Sequence, residues 1–233
     1  MKKHISILSA FLILGIVGHS QKLPSFGADM GKKSIGPKEV RIPYTDMISY
    51  YGFISPGVEP DEVKDGKNFF FVYMWVPAAA PELGVRMVSP VPSGMVAGEG
   101  DFASEEYTKN ASDTKSYFDT WITLERAQGV TGKEDILTKG KTANWTRLEY
   151  NDDSGELPAQ PSGSKYNSVM RITSSVSDPL KSLTMGLYRI GFTTYKTGEV
   201  KGGFVAQVGS PVKLPGVVIA KTAEELAAAL NGK

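Results

Sequence analysis

The run from Asn68 to Val76, NFFFVYMWV, is apolar or aromatic at every position after the first. It is bracketed by a Lys64-Asp65-Gly66-Lys67 turn and by Pro77. A segment this short, without polar alternation and with abundant aromatic residues, predicts a strand buried on both faces. A strand of that kind needs cover on each side, so it predicts layered β structure around it.

Working outward, the same punctuation repeats. Met47 to Ile54 carries strand-forming residues and stops at Pro56-Gly57. Val85 to Ser89 ends at Pro90. Phe118 to Arg126 (FDTWITLER) alternates in part, with Phe118, Thr120, Ile122 and Leu124 on one face and Asp119, Trp121, Thr123 and Glu125 on the other. Ala143 to Tyr150, Tyr166 to Thr173, Met185 to Tyr195 and Val200 to Val208 complete the strands. Lys196-Thr197-Gly198 between the last two reads as a hairpin turn. Residues 90–116 read as a long insertion or a loop with a short helix. Residues 222–231 read as a helix: Thr222 and Glu225 form a capping box, Leu226 and Leu230 share a face, and Gly232 ends it. Roughly seven to nine short strands with one terminal helix predict a β-sandwich.

The start of the chain predicts export. Lys2 and Lys3 precede an apolar stretch from Ile5 to Val17, followed by the small residues Gly18 and Ser20. That is long enough for a signal peptide and short for a membrane span. The expected organisation is a signal at 1–20, a flexible leader at 21–40 and a single domain over 41–233. The only histidines, His4 and His19, fall in the signal, and there is no cysteine. Without Lys2 and Lys3 the basic residues fall one short of the acidic ones, a balance that carries no footprint for nucleic acid.

These absences narrow the chemistry. Without His or Cys, a Ser-His-Asp triad and a thiol nucleophile are excluded, and zinc, copper and iron lose their usual ligands. What remains is oxygen chemistry: carboxylate pairs, Lys or Tyr acid–base groups, and hard cations. Asp119 stands out as a strand carboxylate between Phe118 and Trp121, where an unpaired charge is costly. Asp152 and Asp153 lie in an Asn151-to-Glu156 loop that fails the EF-hand spacing and on its own reads as a turn.

Five segments resemble the major surface lipoprotein family of leptospires, in the same order: Tyr50 to Lys67 (YYGFISPGVEPDEVKDGK), Gly84 to Pro90 (GVRMVSP), FDTWITLER, Lys165 to Ile172 (KYNSVMRI) and Gly186 to Gly209 (GLYRIGFTTYKTGEVKGGFVAQVG). The resemblance spans about Tyr44 to Gly209 and implies an all-β jelly-roll sandwich with peripheral short helices and a C-terminal helix. It also implies a calcium site: Asp119 and Thr120 from FDTW, Asp152 and Asp153 from the acidic loop, and Tyr166 through its backbone carbonyl. Two departures matter. The acidic loop holds fewer aspartates than the family's, which weakens the expected affinity. Gly18-His19-Ser20-Gln21 lacks the cysteine that acylation requires, so the expectation is an exported protein of the periplasm or cell surface that is not lipid-anchored.

The expected function is therefore a non-enzymatic, calcium-binding protein of adhesin type whose partners are extracellular-matrix or other surface macromolecules. A calcium-dependent carbohydrate-binding module is the first alternative, with one exposed tryptophan in a groove as its mark. A carboxylate-based hydrolase is the second, and would place two acids across an open cleft.

Overall fold

The computed structural model describes residues 32–35, 38–41, 44, 46–196 and 198–232. The expected signal at 1–20 and the first part of the leader lie outside the described residues. Within the second half of that expected leader, and one residue past it, β1 (Lys32–Ile35) and β2 (Lys38–Arg41) pair antiparallel as a two-stranded ribbon.

Two larger sheets follow, built from β3 (Asp46–Ile54), β4 (Glu62–Lys64), β5 (Lys67–Val76), β6 (Glu82–Val88), β7 (Phe102–Ala103), β8 (Thr120–Ala127), β9 (Trp145–Asn151), β10 (Ser168–Thr173), β11 (Gly186–Thr194), β12 (Gly202–Ser210) and β13 (Val218–Ala220). One sheet runs β10-β6-β12-β3-β7, the other β13-β5-β11-β8-β9, with β4 beside β5. Among the described residues three short α-helices are peripheral: α1 (Glu105–Asn110), α2 (Ile136–Lys139) and α3 (Ala223–Asn231). The chain is an all-β sandwich, and it passes back and forth between the sheets as a jelly roll does.

The opening apolar run is β5, and its alternation explains both layers. Phe70, Val72, Met74 and Val76 point between the sheets and meet Val85, Met87 and Val208 in one buried cluster. Aromatic rings close its centre, with Phe192 and Phe204 4.7 Å apart and Phe118 6.0 Å from Phe192. On the outer side, Trp75 packs with Leu187, Ala127 and the α3 residues Leu226 and Ala227. The insertion over residues 90–116 covers the other sheet, where Val91, Met95 and Tyr107 pack over Tyr51, Val88 and Val205.

One expectation fails. β11 and β12 do not form a hairpin; they lie in opposite sheets. Both edges of β11 are taken by β5 and β8, and both edges of β12 by β3 and β6. The Lys196–Gly198 signal marks a crossing between sheets, and turn chemistry alone cannot tell a crossing from a hairpin. Gly202, where β12 begins, has φ of 103°, and a Cβ there would lie 1.9 Å from the Ser116 carbonyl oxygen. Its missing side chain lets the segment leading into Phe118 and Asp119 press against β12.

The C-terminal helix forms as its signals predict. The Thr222 hydroxyl accepts the Glu225 N–H at 3.1 Å, and the Glu225 carboxylate accepts the Lys221 N–H at 3.0 Å. Thr222→Ala removes the cap and should cost about 1 kcal/mol in urea unfolding.

Candidate metal centre

Asp119 sits immediately before β8, which the Phe118 side chain anchors in the core. Strand alternation therefore points Asp119 away from that core, on the same side as Trp121. Its Oδ1 is buried with no hydrogen-bond partner, one of few such side-chain atoms among the described residues. Burial, then the nearby charges of Asp153 and Asp152, push its carboxyl up to about 6, while Lys196 and Lys67 pull the other way. Asp153 is also raised, by burial first and then by Asp152. Three aspartates thus share one field.

The remaining expected residues converge on one hydroxyl. The Tyr166 carbonyl accepts the Thr120 N–H at 3.0 Å and lies 3.1 Å from the Thr120 hydroxyl. That hydroxyl also lies 2.9 Å from the Ser168 Oγ. The Ser168 hydroxyl reaches the Thr120 carbonyl at 2.6 Å and the Asp152 carbonyl at 3.0 Å. Asn151 Oδ1 accepts the Val169 N–H at 3.1 Å, which ties the acidic loop to β10. Ser168 therefore joins Thr120 to the Asp152 backbone carbonyl, and Thr120 in turn holds the Tyr166 carbonyl. The Tyr166 side chain is largely exposed, and its carbonyl is the group that faces inward.

Sequence reading missed Ser168 and Asn151. Ser168 lies two residues beyond Tyr166 in KYNS, on the same strand face, and that period was the available signal. Ser168→Ala takes a donor from one buried and one part-buried carbonyl and should cost about 1–3 kcal/mol by chemical denaturation.

An unpartnered buried carboxylate oxygen, two neighbouring aspartates, a threonine hydroxyl and backbone carbonyls make an all-oxygen donor set. Oxygen donors of this kind are the chemistry that hard cations take, although the Thr120 hydroxyl and the Tyr166 carbonyl are already hydrogen-bonded to each other. Among the described residues, no three His, Cys, Asp or Glu side chains group closely enough to hold a metal ion by themselves.

The matching sequence profile, Lipl32, is described as a surface lipoprotein of the Spirochaetales order, and it covers residues 38–219. The chain belongs to this family. A search of curated proteins returns no match. The matched span includes every strand from β2 to β12 and all five expected ligands, so family and sandwich describe the same unit. As a family member, the chain carries its candidate cation residues at one end of β8 and β10, beside the outer aromatic surface formed by Trp121 and Tyr150, 5.8 Å apart.

Proposed function

We propose that the protein is a non-enzymatic, exported surface protein that binds calcium through Asp119, Thr120, Asp152, Asp153 and the Tyr166 carbonyl, and binds extracellular macromolecules. The carrying observation is Asp119 Oδ1, a buried carboxylate oxygen with no donor beside two further aspartates. Burial of such a group costs several kcal/mol unless a cation or donors compensate. Family membership supports surface placement.

Calcium titration by calorimetry tests the site, with Trp121 emission as a second readout. The expected result is saturable heat with one ion per chain, and its absence at millimolar calcium refutes the reading. Adhesion is tested separately, by binding to immobilised matrix proteins in calcium and in chelator.

The Trp121–Tyr150 surface favours one second reading. Tyr150 is 52% exposed, Arg147 lies over its ring at 5.2 Å, and both aromatics adjoin the candidate calcium residues in sequence. Stacking surfaces beside a calcium ion suit a sugar ring, and a glycan array read with and without calcium separates the two.

A further inference from the structure

The edge of β3 is only partly covered. Along one side all nine residues pair with β12. Along the other, β7 pairs only with Tyr50 and Tyr51. Asp101 accepts the Ser49 N–H at 2.7 Å, and the Tyr51 carbonyl accepts the Ser104 N–H at 2.9 Å. The chain then turns away into α1. Ser49 and Tyr51 both address this side, so Phe53, two residues further, turns its N–H and C=O the same way. Among the described residues, no strand reaches it.

Where β7 stops, a recess of about 550 Å³ opens, within the range of ligand sites. Its walls include Tyr50, Phe53, Ile54, Phe102 and Phe204. Its mouth carries Glu105, Glu106 and Glu225. Glu105 and Glu106 share a single cation, Lys109, at 3.5 and 3.2 Å. The lysine at the mouth, Lys221, is turned to Asp61 at 2.5 Å and to the Phe71 carbonyl at 2.9 Å. Negative charge at the mouth therefore exceeds the positive charge available to it. An edge strand is ordinarily blunted by Lys, Pro or a bulge; Tyr50 to Ile54 (YYGFI) has neither residue, and its pairing with β12 is unbroken.

We propose that this recess takes an extended basic peptide segment of a partner protein. Its backbone adds to β3 at Phe53, its apolar side chains enter the recess lined by Tyr50, Phe102 and Phe204, and its Lys or Arg side chains meet Glu105, Glu106 and Glu225. An open backbone pair gives strand addition, the aromatic walls give side-chain pockets, and the rim selects charge. The site is separate from the calcium residues and does not depend on that reading.

The probe is a fluorescein-labelled octapeptide alternating lysine and valine, titrated into the full chain at low salt. Two controls accompany it, one with glutamate for lysine and one with a central proline. The expected result is saturable anisotropy, about tenfold weaker for each control, because one loses the charge match and the other the strand geometry. Glu105→Gln with Glu106→Gln, both at exposed positions, should weaken binding several-fold, and the Phe53 amide should gain exchange protection. The proposal is overturned if the peptide fails to bind at about 1 mM, if the proline control binds equally, or if the double variant is unaffected. Protection confined to another strand edge also overturns it. Self-association of the chain that protects Phe53 would reassign the recess to a second copy.

Discussion

Asp119→Asn should raise the melting temperature of the calcium-free protein near neutral pH and abolish the rise that calcium produces in the parent. The two effects have opposite signs and one cause. In the parent, Asp119 keeps a carboxylate oxygen buried without a donor, in the field of Asp152 and Asp153. Its carboxyl is raised from 3.8 to about 6 by burial first and by those charges second. A raised acid holds its proton more tightly in the folded state than in the unfolded one. Its penalty is therefore absent below the unfolded value, grows between that value and about 6, and is complete above. The calcium-free parent should lose melting temperature as pH climbs from 4 to 7, and Asp119→Asn should flatten that slope. Calcium reverses the balance by supplying the missing partner. At a hundredfold excess over its dissociation constant the ion adds about 2.7 kcal/mol to the parent and close to nothing to the variant. Below about pH 6 a proton competes for the same oxygen, and affinity should fall about tenfold per pH unit. Scanning calorimetry at several pH values, in calcium and in chelator, reads all of this. If the variant melts lower without calcium and still gains from it, Asp119 is an ordinary structural carboxylate.

Much of this fold is legible because burial writes itself into β5. Phe70, Val72, Met74 and Val76 fill the sandwich, while Phe69, Phe71, Tyr73 and Trp75 need cover from elsewhere, so a run apolar on both faces announces an inner strand. Short edges leave fainter marks. β13 is three residues of Val-Ile-Ala and β4 only Glu-Val-Lys, and each gets its conformation from pairing with β5. The crossing from β11 to β12 is invisible for a related reason: both are apolar enough to be central, and which sheet each enters depends on partners far away in sequence. The candidate site shows the same division. Asp119 is conspicuous as a carboxylate among aromatics, and the loop aspartates are visible as a pair. The contribution of Tyr166 comes from a backbone carbonyl, which no side chain advertises. Ser168 looks like any strand serine until the fold brings Thr120 and Asp152 against it.

Arg189→Met should destabilise the protein by about 3–5 kcal/mol, and adding Glu125→Met should recover most of that loss. Arg189 lies on the outer face of β11, between the Phe71 ring at 3.6 Å and the Trp145 ring at 4.3 Å. Its Nε donates to Glu125 Oε2 at 2.7 Å, and its terminal nitrogen lies 3.4 Å from Glu62. Glu125 is only 5% exposed. Its other oxygen is 3.4 Å from the Thr123 hydroxyl, a poor substitute for a guanidinium. Arg189→Met keeps apolar volume between the rings and leaves the Glu125 charge buried without a cation. Glu125→Met in the same chain removes that charge and turns the pair into apolar packing, which is near neutral in such sites. The second contribution is stacking: a guanidinium over aromatic faces is worth about 0.5–2 kcal/mol, and Met forfeits it in both variants. Urea unfolding of the two single variants and the double variant closes the cycle. Recovery in the double variant places the cost in the orphaned carboxylate. Equal losses in single and double would place it in the rings, and Arg189 would then hold this outer face together as a stacked cation whose salt bridge to Glu125 contributes little.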